Sequence, residues 1–289
     1  MTIIALLLTL VASNLPNIVT KEGLGFVPPW LTAAKVAILL IAAVCLWRSG
    51  SRQLANYGVA LAGVIGFSYL LWLLGGTAAW QQLFRSDTFF GHHANFVFNK
   101  LLSAVPLVAL LLWLLKSPQE AYLVGGDLSV KAEPIRWLGI HPDWISWRKL
   151  SLFSAFAIAG GTLLLTLFTV TGFSLPQAMA RLPSQLPGIL LLALVNSIGE
   201  GFLFRNAVLG PLRSALPKEH LLLIAALFFG LAHFYGIPSG YVGVFMSGVL
   251  GWFLCRSMYE TGGLLAPWII HFMQDAVIFA TLFLLGVWI

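Results

Sequence analysis

Four ionisable side chains sit deep inside apolar runs in the last third of the chain: Glu200, His233, His271 and Asp275. A carboxylate among imidazoles can take a proton from water, hold the activated oxygen and return the proton to a leaving group. The same residue types can ligate zinc, in which case Glu200, His233 and His271 are the ligand set. A charged side chain at the centre of a bilayer costs about 2.5–3.5 kcal/mol on insertion scales, so such groups face a protein interior or a wet cavity and pair with one another. The chain has 10 acidic residues, and all but Glu200 and Asp275 fall in loops or at the ends of apolar runs. Taken singly, a buried histidine is ordinarily a hydrogen-bonded packing residue and a glutamate near a helix end snorkels. Four such residues on three different late runs favour chemistry over packing.

Spacing sharpens the set. In "HFMQD" His271 and Asp275 are four apart and share one helix face, as do Phe229 and His233 in "FGLAH". Asn196 precedes Glu200 by one turn; it is either a hydrogen-bond partner or a helix–helix contact. Arg205 follows Glu200 by about 7.5 Å along a helix and reads as a structural anchor or charge partner. His233 and His271 fall at different depths counted from the same side, so tilted or broken helices are needed for them to meet.

The elements that must position these residues are membrane helices. Hydrophobic residues make up 59% of the 289 and charged residues 9%, against about 25% charged in soluble domains; mean hydropathy is +0.92. The expected fold is an all-α polytopic bundle of about eight or nine transmembrane helices. Apolar runs lie at about 2–19, 30–47, 57–75, 96–115, 151–173, 187–209, 219–235, 239–256 and 264–289. The first, broken by Asn14 and Pro16, lacks a basic leader and a small-residue cleavage site, so it reads as a retained span.

The excess of basic residues, net +6, is assigned to cytoplasmic loops rather than to nucleic-acid binding. Placing the N-terminus inside and the C-terminus outside puts Arg48, Arg52, Lys116, Lys131, Arg136, Arg148, Lys149, Arg213, Lys218 and Arg256 on the cytoplasmic side. Lys21, Arg85, Lys100 and Arg181 are then in outer loops. The partner expected on these grounds is the lipid bilayer.

Residues 116–150 form the longest polar stretch. Its "YLVGGDLSV" reads as a cytoplasmic β-hairpin about Gly125-Gly126-Asp127. "WLGIHPDWISWRKLS" reads as an interfacial connector, with substrate docking as the sharper alternative. The His92-His93 pair, in a second polar stretch near 80–96, reads as solvated rather than metal-binding. Cys45 and Cys255 read as small hydrophobes. Three regions result: a membrane extension of unknown role at 1–115, a cytoplasmic loop at 116–150, and a membrane core at 151–289.

"EGFLFR", "FGLAH" and "HFMQD", in order on late apolar runs, resemble the EExxxR, FxxxH and HxxxN/D motifs of the CAAX protease and bacteriocin-processing family of intramembrane glutamic proteases. The resemblance covers about 185–289. Two positions depart from the family pattern. Gly201 stands where a second glutamate is usual, and Asp275 where well-studied members have asparagine. An asparagine can donate to an oxyanion, whereas an ionised aspartate only accepts.

The resemblance implies peptide-bond hydrolysis by a glutamate-activated water, without metal, and with it a membrane-anchored protein or peptide substrate as partner. Glu200 is then the general base, and His233 holds the water and protonates the leaving amine. His271, with Asp275 behind it, stabilises the oxyanion, while Arg205, Asn196 and Phe229 support the site. Zinc remains the alternative cofactor. Family substrates include prenylated proteins, leader peptides and C-terminal sorting tails, in a bacterial cytoplasmic membrane. Two other classes stay open: a non-catalytic membrane binding, immunity or scaffold protein that retains the fold, and a proton-relaying transporter.

Overall fold

The computed structural model describes residues 1–84, 88–141, 143–169, 175–236 and 238–286, leaving aside the side chains of 166–169 and 175–178. Arg85 and the ends of two apolar runs, 170–173 and 287–289, lie outside the described residues. The described chain is helical: α1 (Thr2–Ala12), α2 (Leu15–Leu24), α3 (Leu31–Arg48), α4 (Arg52–Gly75), α5 (Ala78–Phe84), α6 (Phe89–Leu115), α7 (Trp147–Thr169), α8 (Leu175–Glu200), α9 (Ala207–Leu212), α10 (Lys218–Ala232), α11 (Gly240–Thr261) and α12 (Leu265–Leu285). Among the described residues seven helices are long and apolar enough to cross a membrane, or eight if the bent pair α1–α2 is one span. Large apolar side chains cover the outside, among them Phe153, Phe156 and Phe245. In water such a surface would associate; in lipid it is ordinary. The protein is an integral, multi-pass membrane protein.

The run at 219–235 accounts for the shortfall from nine. It folds as α10, only 15 residues long, about 22 Å at 1.5 Å per residue and short of a hydrocarbon core about 30 Å thick. The α1–α2 pair runs alongside it: Thr2 Oγ1 meets His220 Nδ1 at 3.0 Å at one end, and Glu22 accepts from Tyr235 Oη at 2.9 Å at the other. The 50° bend between α1 and α2 leaves backbone carbonyls without helical partners. Buried Lys35 of α3 fills that gap, donating to Ser13 O at 2.8 Å and to Asn17 Oδ1 at 3.0 Å.

The polar stretch 116–150 corrects the expectation of a hairpin. Its two strand-like runs do not pair with each other: the second bonds 145–148, with Trp147 N donating to Val130 O (2.9 Å) and Arg148 N to Leu128 O (2.8 Å), while the first and the turn bond the α11–α12 turn. Asp127 N donates to Thr261 O (2.8 Å), Leu264 N to Val124 O (2.9 Å) and Leu265 N to Gly125 O (3.2 Å). Two glycines allow this contact. A Cβ on Gly126, whose φ is +80°, would lie 2.7 Å from both Gly263 N and Thr261 O. The Asp127 carboxylate turns back on Ser129, and its hydrogen bonds from Ser129 N and Oγ hold it below the usual carboxylate range.

A charge network pins the same stretch to α10 and α11. The enclosed Glu260 carboxylate accepts from Lys218 Nζ (2.7 Å), Trp147 Nε1 (2.8 Å) and Glu133 N (3.0 Å), and forms an ion pair with Arg256, whose Nε lies 2.8 Å away. Arg256, expected in a loop, is thus a buried residue of α11. The His92-His93 pair is likewise helical, in the first turns of α6. His93 is buried, its ring packed on Phe89 and Phe279. Cys45 and Cys255 are unpaired thiols.

Candidate active site

Glu200 ends α8, and the chain continues through a π-helical turn, Gly201–Asn206, into α9. Such turns interrupt the regular ladder and recur at functional sites. α8 lies between α6 and α12 here. The close approach to α6 depends on Gly199, whose Cβ would meet Leu101 N at 3.0 Å and Lys100 C at 3.3 Å. Leaving that space empty sets Lys100 beside Glu200.

Four of the residues singled out from the sequence are thereby linked by hydrogen-bond or ion-pair contacts. His271 Nε2 lies 3.5 Å from Glu200 Oε2 and 3.6 Å from Asp275 Oδ1. Asn196 Nδ2 donates to Asp275 Oδ2 at 3.0 Å, a polar contact between α8 and α12. Glu200, His271 and Asp275 are all at most 5% exposed.

The imidazole is held differently from expectation. Asp275 does not stand behind His271; its carboxylate faces the same nitrogen as Glu200. The group behind is Arg205, buried, with Nη1 3.2 Å from His271 Nδ1 and Nη2 donating to Ser197 O at 3.3 Å. Gly201 makes this possible. A Cβ there would lie 2.7 Å from Arg205 Nη2, so the guanidinium occupies the space that a side chain at 201 would take. A guanidinium only donates. Nδ1 must therefore accept, and the imidazole proton sits on Nε2, pointing between the two carboxylates.

His233 caps α10 at the edge of this cluster, half-buried. Its Nδ1 bonds Phe229 O at 2.8 Å. The Phe229 ring bridges the histidines, 4.5 Å from His233 and 5.9 Å from His271 between centroids. His233 is near enough to Glu200 to interact electrostatically. The shortness of α10 resolves the mismatch in depth: the helix stops inside the bundle, and its last turn presents His233 to the site. A cavity of about 300 Å³ opens beside the cluster, lined by Ser197, Gly201, Phe202, Arg205, Met258 and Trp268 among others.

Sequence reasoning missed Lys100. Expected in an outer loop, it lies within α6 and forms an ion pair with Glu200 Oε1 while donating to Asn196 Oδ1 at 2.9 Å. The available signal was the one used for the carboxylates, an ionisable residue inside an apolar run. In an apolar run that starts at 96 Lys100 falls at the edge; the helix starts at Phe89, which puts it in the interior.

The donor set also bears on zinc. An ammonium occupies one Glu200 oxygen, a guanidinium occupies His271 Nδ1, and His271 Nε2 carries a proton. A metal at Glu200, His233 and His271 would have to displace both cations' contacts or that proton. As arranged, these residues do not fit the ion, and no mechanistic step is derived through it.

A polytopic membrane protein with a carboxylate–imidazole cluster sealed among its helices is the class that this geometry defines. Residues 182–277 match the family described as type II CAAX prenyl endopeptidase Rce1-like. This segment, about a third of the chain, is similar to a family of membrane proteases, the same family its three motifs resemble. It holds Asn196, Glu200, Arg205, Phe229, His233, His271 and Asp275, but not Lys100. No curated protein and no solved structure matches the chain.

Proposed function

We propose that the protein is an intramembrane endopeptidase that hydrolyses a peptide bond of a membrane-associated protein or peptide through a water activated by Glu200. The observation that carries this reading is the convergence of Glu200, His271 and Asp275 in one buried cluster, on elements within the protease-like segment. Glu200 takes a proton from water as the oxygen attacks the scissile carbonyl. His271 Nε2–H donates to the developing oxyanion, in surroundings where a fixed donor is worth far more than in bulk water. His233, its Nδ1 fixed by Phe229 O, offers Nε2 to the water and to the leaving amine. Asp275 and Asn196 hold the charges around His271 in place.

The hydrolysis proposed is metal-free. The ammonium on Glu200 and the guanidinium on His271 support it, and turnover is expected to survive a chelator. The membrane is proposed to be the cytoplasmic membrane of a bacterium, with the N-terminus inside and the C-terminus outside; the short α10, antiparallel to α11 through the Lys218–Glu260 pair, then makes the ninth passage together with the turn that follows it. The substrate is a prenylated or otherwise anchored C-terminal tail, or a leader peptide.

The second reading is a non-catalytic binding or scaffold protein. The observation favouring it is the ion pair itself, since a carboxylate satisfied by lysine is also a common structural device. One experiment separates the two: comparison of newly formed protein termini in the native host carrying wild type or Glu200→Gln at matched membrane abundance. Loss of a small set of termini in the variant supports the endopeptidase. An unchanged set, with the knockout phenotype rescued by Glu200→Gln, overturns it in favour of binding.

A further inference from the structure

Lys100 is the twelfth residue of the apolar helix α6 (Phe89–Leu115), about three turns in from its start. A lysine there is costly unless it is paired, and its pairing is specific. One N–H meets Glu200 Oε1 and another donates to Asn196 Oδ1. The ammonium also stands 4.0 Å from the centroid of the Phe96 ring. Asn196 passes the contact on to Asp275, giving a continuous chain Glu200–Lys100–Asn196–Asp275. The lysine side chain is 20% exposed and Glu200 only 6%, so the lysine is the less enclosed member of the pair.

Donor accounting points further. Arg205 donates away from Glu200, to His271 Nδ1 and Ser197 O. Asp275, if ionised, donates nothing. Among the described residues His271 Nε2–H and Trp268 Nε1–H, which lines the adjoining cavity without a partner, remain as neutral donors, and neither carries a charge that could follow an oxyanion.

We propose that Lys100, which lies outside the protease-like segment, is a further catalytic residue: its ammonium moves from Glu200 to the carbonyl oxygen of the scissile bond and donates to it there beside His271 Nε2–H. This rests on the endopeptidase reading. As water attacks, its proton goes to Glu200, the new C–O bond forms, and the carbonyl π pair moves onto oxygen. Negative charge leaves Glu200 and reappears on the oxyanion, and the ammonium follows it. On collapse the pair returns to the carbonyl, the C–N bond breaks, and the amine takes the proton from Glu200 by way of His233. Lys100 gives up no proton over the cycle. A cation whose partner is neutralised as the oxyanion forms binds the transition state better than the ground state, which is the condition for raising kcat.

The test begins with a terminus lost in Glu200→Gln cells and uses a synthetic peptide spanning that cleavage site, with purified full-length enzyme in lipid nanodiscs. If no terminus is lost, the endopeptidase reading itself fails. If one is lost, Lys100→Met is expected to lower kcat about 100-fold or more, the range for losing one oxyanion donor, with KM within about threefold. Lys100→Cys is then alkylated in a Cys45→Ser background, either to the S-aminoethyl form, which restores an ammonium, or to the neutral S-propyl form of similar length. The proposal expects the aminoethyl form alone to recover kcat when both forms melt at similar temperatures. Lys100→Met turning over like wild type, or equal recovery by the S-propyl form, overturns it and leaves Lys100 as a packing residue. If Lys100→Met does not fold, the two alkylated forms decide the question.

Discussion

At the scale of the residue, Gly201 decides more than its missing side chain suggests. Arg205 folds into the space over it and fixes the tautomer of His271. Gly201→Ala is therefore expected to displace the guanidinium while sparing the fold, because the obstructed atom is the far end of a flexible side chain. A hydrogen bond to a charged group contributes about 1.5–3 kcal/mol, so turnover should fall roughly 10- to 100-fold with little change in Tm. Nitrogen chemical shifts of the His271 ring check the cause: they should report a proton on Nε2 in wild type and a tautomer mixture in the variant.

At the scale of the element, the site exists because helices approach unusually closely. Gly199 lets α8 lie against the backbone of α6, and there the obstructed atoms belong to the main chain at Lys100 and Leu101. Gly199→Leu cannot be absorbed by rotating a side chain. Overpacking of this kind costs about 1–3 kcal/mol, and the parting of α8 from α6 should also separate Lys100 from Glu200. A thermal melt with a cleavage assay should show both losses together, whereas Gly201→Ala shows only the second. The π-helical turn and the short α10 serve the same end: one redirects the chain after Glu200, and the other stops in time to present His233.

At the scale of the molecule, the proposed orientation rests on the distribution of basic loops. The stretch 116–150, bound to the α11–α12 turn and to Glu260, should face the cytoplasm, and the α4–α5 turn at Gly76 the opposite side. Single cysteines at Ser129 and Gly76, in a chain with Cys45 and Cys255 replaced, test this. An impermeant maleimide should label Ser129→Cys only in inverted vesicles and Gly76→Cys only in right-side-out ones; the reverse pattern inverts the topology. The stretch should also be firmly docked. Gly126→Val places a branched side chain at positive φ against backbone 2.7 Å away, and limited proteolysis near 124–130 should become fast.

The sequence by itself determined the membrane class, most of the helices and the polar residues of the protease-like segment. These rest on local signals: composition, apolar runs, and ionisable groups whose burial in lipid is too costly to be accidental. It also carried the i, i+4 sharing of a face by His271 and Asp275, because helix geometry fixes that relation. Tertiary structure alone decided which atoms meet. That Lys100 pairs with Glu200 across about 100 positions depends on Gly199 leaving room, and no periodicity in either run encodes it. That Arg205 rather than Asp275 stands behind His271 depends on the empty space at Gly201. The hairpin expected at Gly125-Gly126 failed for a related reason: its turn residues were legible, but the backbone partners it found lie in a distant turn. Contacts made through the absence of a side chain belong to two segments at once, and a linear reading sees only one of them.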